Sequence, residues 1–105
     1  MIERDEIDKQ IIFANSQFDE FTLNFWNLIE ISPEKWKIEK SKFKAEYWVV
    51  GIFGKRCIYY NHFESGFNIS NYSKYGIIDD YYCNDFSLET TIFHLIEYQL
   101  KKKMY

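Results

Sequence analysis

Proline and glycine are scarce in this 105-residue chain: one proline, Pro33, and four glycines, Gly51, Gly54, Gly66 and Gly76. No stretch therefore has the composition of a flexible linker or a low-complexity arm, and no internal repeat is visible. The glycines are scattered, so neither G-x-G-x-x-G nor G-x-x-x-x-G-K occurs and no phosphate-cradling loop is expected. Cysteine is limited to Cys57 and Cys83, with no C-x-x-C spacing. That argues against a zinc knuckle and against a disulfide framework; both are expected as free thiols, at least one of them buried. The two histidines, His62 and His94, are 32 residues apart. A nucleophile–base pair or a Cys57–His62–Cys83–His94 metal site can be written down, but no local spacing supports either. No catalytic residue, metal or cofactor is expected, and the chain reads as a non-enzyme.

Long apolar runs are missing too. The longest, Tyr47 to Phe53, is far too short to cross a bilayer. The opening Met1-Ile2-Glu3-Arg4-Asp5-Glu6 lacks the charged-then-apolar layout of a signal peptide, so a cytoplasmic, membrane-free protein is expected. A chain of this length, 47% apolar and 28% charged, is expected to form one globular domain over residues 1–105.

Aromatic residues are plentiful: ten Phe, nine Tyr and three Trp. Binding surfaces recruit such rings, which offer large contact area at modest entropic cost. About half the chain, however, is Phe, Tyr, Met, Ile, Asn and Lys, all encoded largely by A/T-rich codons. Nucleotide composition alone can raise the total, although it does not explain where the tyrosines cluster.

The net charge of −3 conceals a segmented pattern. Residues 1–31 carry seven acids against two bases, residues 32–60 seven bases against three acids, and residues 61–100 six acids against one base. Lys101, Lys102 and Lys103 then close a helix, where positive charge suits the dipole. An acidic second half is a poor surface for nucleic acid, which needs clustered Lys and Arg. The basic run Lys35, Lys37, Lys40, Lys42, Lys44 is interleaved with Glu34, Glu39 and Glu46, the pattern of a solvated alternating-charge face. No nucleic-acid partner is expected.

Periodicity predicts an α+β domain: an antiparallel three- to four-stranded meander flanked by an N-terminal and a C-terminal helix. Residues 16–31 read as an amphipathic helix capped by Ser16, with Phe18, Phe21, Phe25, Leu28 and Ile29 as its buried stripe and Trp26 to one side. Residues 3–13 form a shorter helix before it. Ser32-Pro33-Glu34 has the layout of a further helical turn. Tyr47 to Phe53 is apolar on both faces, as a covered central strand would be. Gly54-Lys55 turns the chain into Arg56–His62, with Ile58 and Tyr60 on one face and Cys57 and Tyr59 on the other. A turn around Glu64-Ser65-Gly66 leads to Phe67–Ser70, whose apolar–polar alternation predicts a half-exposed strand. Residues 75–82 form a fourth strand or an ordered loop. Ser87 caps a last helix with Leu88, Ile92, Leu95, Ile96 and Leu100 buried and Glu89 in its first turn.

One cluster carries the functional expectation. Tyr72, Tyr75, Asp79, Asp80, Tyr81, Tyr82 and Asp85 place four tyrosines and three acids within fourteen residues, with Glu64 nearby. Asp79-Asp80 alone is better read as a solvated turn than as an acid–base pair, since strand neighbours face opposite ways. Tyrosine mixed with carboxylate suits a surface that grips a basic protein patch: rings anchor, acids steer. The other reading is an aromatic-rich loop covering the sheet.

The segments Trp48-Val49-Val50-Gly51-Ile52-Phe53-Gly54-Lys55-Arg56, Glu64-Ser65-Gly66-Phe67-Asn68-Ile69 and Tyr75-Gly76-Ile77-Ile78-Asp79-Asp80-Tyr81-Tyr82, followed by a helix, give the chain its family likeness. In texture and layout it resembles the small cytoplasmic immunity proteins of bacterial toxin–immunity systems, notably contact-dependent growth inhibition. The resemblance spans about residues 45–100. It implies binding and neutralisation of one cognate toxin domain, commonly a nuclease, without catalysis by the immunity protein. A small protein-interaction or adaptor module of another bacterial or phage system is the second expectation. No motif transfers toxin-binding residues, so the candidates rest on the charge and aromatic argument.

Overall fold

The computed structural model describes residues 1–38 and 45–103, without the side chains of Lys102 and Lys103. The described residues form an α+β fold: helices α1 (Arg4–Gln17) and α2 (Glu20–Ile29), strands β1 (Glu30–Lys37), β2 (Glu46–Phe53), β3 (Arg56–Asn61) and β4 (Gly66–Asn71), and helix α3 (Leu88–Lys103). The strands pair antiparallel in the order β1-β2-β3-β4. Lys40, Lys42 and Lys44 of the basic run lie outside the described residues.

The two N-terminal helices divide at Phe18-Asp19, not at Ser16. The Asp19 carboxylate accepts the Thr22 N–H at 2.7 Å and caps α2, and that bond holds its pKa below the usual carboxylate range. The Ser16 hydroxyl instead donates to the Phe13 carbonyl in the last turn of α1, the back-bonding open to a helical serine. The expected turn at Ser32-Pro33-Glu34 is strand. β1 lies at the sheet edge, and its pairing with β2 shifts register between Glu30 and Glu34. A proline inside that irregularity removes no ladder bond.

β2 is the covered central strand its sequence predicts. Trp48 and Val50 enter the core beneath the helices, whereas Tyr47 and Val49 enter a second core on the opposite face. Its pairing with β3 shifts register between Val49 and Gly51, which turns Gly51 toward the helices. The Trp26 ring occupies that space: a Cβ on Gly51 would lie 3.1 Å from it. Trp26 is thus fully buried rather than lateral. Turning Trp26 inward splits the expected stripe: Ile29 is buried and Phe18 and Phe25 pack against the core, while Phe21 is 66% and Leu28 83% exposed. Of the α3 stripe, Leu88, Ile92 and Leu95 are buried and Ile96 packs beside them, while Leu100 is exposed. Ser87 caps α3, accepting the Thr90 N–H at 3.1 Å.

Among the described residues, no helix lies over the second face of the sheet. Residues 72–87 cover it as an irregular strap, and Ile78, 1% exposed, plugs the core of Trp36, Tyr47, Val49, Cys57 and Tyr59. Irregular backbone over a core needs hydrogen-bond partners, and a row of polar side chains on β3 and β4 supplies them. Ser70 Oγ accepts the Asp80 N–H at 2.9 Å, Tyr59 Oη accepts the Tyr82 N–H at 2.7 Å, and Asn61 Nδ2 donates to the Tyr82 carbonyl at 2.9 Å. Asn68 holds Asn84 twice, donating to its carbonyl at 3.1 Å and accepting its N–H at 3.0 Å. β4 is therefore mostly buried, not half exposed: Asn68 and Ser70 alternate with apolar neighbours because they serve the strap. Residues 75–82 are the ordered loop rather than a fourth strand of the meander.

Gly66 lets the strap cross the end of β4, since a Cβ there would lie 2.3 Å from Asp85 Cα and 2.4 Å from the Asn84 carbonyl oxygen. Backbone cannot yield as a side-chain tip can, so Gly66→Ala is expected to cost about 3 kcal/mol, the upper end for overpacking. Asn68→Ala orphans an N–H and a carbonyl of Asn84 and is expected to cost about 2–3 kcal/mol. Urea unfolding of both variants checks the pair.

Candidate functional site

The strap places the predicted site residues in two roles. Tyr72 and Tyr81 pack against the second core. Tyr72 Oη also donates to the Gly54 carbonyl at 2.7 Å, tying the strap to the β2–β3 turn. Asp79 is a loop-holding group: its carboxylate accepts the Ser73 N–H at 3.2 Å and the Ser73 hydroxyl at 2.9 Å. Asp80 is half-buried, with its N–H spent on Ser70, and its carboxylate has no hydrogen-bond or ion-pair partner among the described residues. Tyr75, Tyr82, Asp85 and Glu64 are exposed. The close approach of Gly66 to Asp85 brings the Glu64 turn and Asp85 to the same end of the sheet.

Tyr75 stands at the other end of the strap and has a partner the sequence did not suggest. Its hydroxyl donates to both carboxylate oxygens of Glu34 on β1, at 2.7 and 2.8 Å, and the Trp36 indole N–H donates to the same carboxylate at 3.0 Å. The bond to Glu34 raises the Tyr75 pKa above the usual phenol range. The Tyr75 ring lies 4.8 Å from Trp36, and Tyr72 lies 5.2 Å from Trp36 on another side. The Glu34 carboxylate is thus held by two aromatic side chains, Tyr75 and Trp36, with Tyr72 packed against both rings. Glu34 and Trp36 belong to a segment whose Ser-Pro-Glu start imitates a helix, which is why sequence reasoning missed them; alternation of Trp36 with charged neighbours was the available signal.

A second aromatic group gathers where β3 turns into β4. His62 lies 4.3 Å from Phe63 and 5.3 Å from Tyr47, and Tyr81 lies 6.2 Å from Tyr47. Partial burial lowers the His62 pKa, with the N-terminal charge a smaller contributor. His94 lies on α3 against Phe86 at 5.0 Å, so the two histidines sit in separate surroundings. Among the described residues, no three His, Cys, Asp or Glu side chains converge as metal ligands would. Cys57 is 1% exposed, and burial pushes its thiol up to about 12, which makes it a poor nucleophile. Cys83 is exposed. The exposed part of this surface is suited to contact: rings and carboxylates on a backbone that the sheet holds in place.

A separate apolar surface lies on the helix layer. Phe21, Phe25 and Leu28 recur along α2, and Phe25 meets the partly exposed Phe53 at 5.7 Å. No protein family, no characterised protein and no solved structure matches the chain.

The two cysteines are expected to report the strap directly. A thiol reagent should modify Cys83 within minutes and Cys57 only on unfolding, with Cys83→Ser abolishing the fast phase. Alkaline stability gives the second check. The Cys57 thiol is raised from 9.0 to about 12 in the folded chain, so the unfolded chain loses this proton first as pH rises. Its contribution is fully present below pH 9 and falls between pH 9 and 12 by about 1.4 kcal/mol per pH unit at most. Cys57→Ala should unfold in urea with a shallower decline over that window; an equal decline would remove the thiol as its source.

Proposed function

We propose that this chain is a non-catalytic protein-binding domain that acts as an immunity protein, neutralising a bacterial toxin domain that carries a basic cleft, such as a nuclease. The observation that carries this reading is the pre-set strap. Asp80, Tyr82 and Asn84 are anchored through their backbone to buried side chains of β3 and β4. The side chains they and their neighbours present need little further ordering when a partner docks. Binding then escapes part of the entropic cost that a mobile acidic loop would incur. Exposed tyrosines supply the anchors, and Glu64, Asp80 and Asp85 supply the field that draws in a basic surface.

In this reading Asp79, bonded to Ser73, and the packed Tyr72 and Tyr81 serve the strap rather than the contact. The contact set is therefore Glu64, Tyr75, Asp80, Tyr82 and Asp85. The second reading, an adaptor module, is favoured by a different observation: the exposed Phe21 and Leu28 beside the half-buried Phe25, which suit the apolar face of a partner helix.

Co-purification with the C-terminal domain of a toxin encoded immediately upstream separates the two. Asp80→Lys with Asp85→Lys should weaken that complex by about 10- to 100-fold and steepen its response to salt, while urea unfolding stays cooperative. Phe21→Ser with Leu28→Ser should leave it intact. The reverse pattern assigns binding to the helix layer, and absence of any complex removes the toxin reading.

A further inference from the structure

The strap leaves one stretch of the sheet edge uncovered as it wraps from one face to the other. In an antiparallel ladder, alternate residues turn N–H and C=O away from their partner strand. On β4, Phe67 does so: its N–H donates to the Phe86 carbonyl at 2.9 Å, and its carbonyl accepts from Thr91 Oγ1 at 3.3 Å. Two residues on, Ile69 pairs with Ile58 in the same phase, so its N–H and C=O also point outward. There the strap and α3 diverge, and a cavity of about 320 Å³ opens between them and β4.

The charge of this cavity runs against that of the chain. None of its twelve lining residues is acidic, and it holds one permanent cation, Arg56. The Arg56 guanidinium lies 3.5 Å from the centre of the Tyr98 ring, and its Nε donates to Asn71 Oδ1 at 3.3 Å. No carboxylate pairs with it among the described residues, and its Nη1 is buried without a hydrogen-bond partner. A half-buried guanidinium without a counter-charge has only the Tyr98 ring and the Asn71 amide oxygen to offset its desolvation. Phe86, Leu95 and the Tyr98 ring supply apolar wall, while Asn84 and the Ile69 backbone supply polar points. Aromatic and aliphatic wall combined with convergent polar groups, in a cavity of this size, suits a small amphipathic molecule.

We propose that the cavity between β4 and α3 binds a small organic monocarboxylate with an apolar body, its carboxylate facing Arg56 and its body lying against Phe86, Leu95 and Tyr98. Tyr82 borders both this cavity and the strap's contact set, but the carboxylate site rests on Arg56, Phe86, Leu95 and Tyr98 and does not depend on the toxin-binding reading.

Phenylacetate is a suitable probe, with phenylacetamide as its uncharged counterpart. Titrated into the ¹⁵N-labelled chain, phenylacetate should produce saturable shifts at the Ile69 amide and around Tyr98 and His94. Phenylacetamide should bind at least tenfold more weakly. Arg56→Gln should lose at least tenfold in phenylacetate affinity, and Arg56→Lys should retain most of it. Equal binding of the amide, shifts mapping away from the cavity, or no saturation would each overturn the proposal. The comparison of acid with amide uses the unaltered chain, so it stands even where Arg56→Gln does not fold.

Discussion

A four-stranded sheet with apolar side chains on both faces must be covered twice, and here only one cover is helical. The second face depends on a strap whose peptide groups are satisfied by the sheet's own side chains. Ile78 and Asp79, neighbours in sequence, show how tightly this binds the fold: Ile78 donates its N–H to the Lys37 carbonyl at 2.8 Å, and Asp79 donates to the Asn71 carbonyl at 3.0 Å. Lys37 ends β1 and Asn71 ends β4, at diagonally opposite corners of the sheet. Twist and coiling lift one diagonal pair of corners toward the same face. The strap clips that pair together over the second core. Lys37 completes the clip by donating to the Gly76 carbonyl at 3.2 Å.

The same constraint explains what the sequence disclosed and what it withheld. Strongly periodic segments were readable: β2 apolar on both faces, the Gly54-Lys55 turn, and α3 with its Ser87 cap. Residues whose role is set by a distant segment were not. Asn68 and Ser70 look like the solvent face of a strand because alternation cannot distinguish a polar side chain facing water from one facing a strap sixteen or ten residues away. Phe21 and Leu28 look buried because helical spacing identifies a stripe without saying which of two stripes the sheet receives. On α2 the sheet receives Trp26, whose ring fits only where Gly51 leaves room.

The candidate site was legible as a segment and illegible as a surface. Composition located the tyrosines and acids within residues 72–85, and the structure divides them between the cover of the sheet and its exposed surface. Tyr72, Tyr81 and Asp79 build the cover; Tyr75, Tyr82, Asp80 and Asp85 are displayed by it. What separates the two groups is hydrogen bonding and packing with β1, β3 and β4, none of which is encoded locally. Glu34 belongs to the displayed surface only because the fold brings β1 under Tyr75, 41 residues later.

Edge protection links the strap to the cavity beside it. Exposed strand edges invite pairing with other chains, and both edges of this sheet are blunted. β1 carries Pro33, a register shift and the bonds from residues 76–78 at Lys37. β4 is sealed near Phe67 by Phe86 and near Asn71 by Asp79. Ile69 lies between those two seals, so the open edge is one residue long. An interval that short is unsuited to adding a strand, since β-augmentation draws its affinity from successive main-chain bonds. It does suit one amide-sized polar contact, beside a cation that has no counter-charge among the described residues. The cavity thus follows from the way the strap turns the edge of β4, and its chemistry from the residues that turn happens to leave facing it.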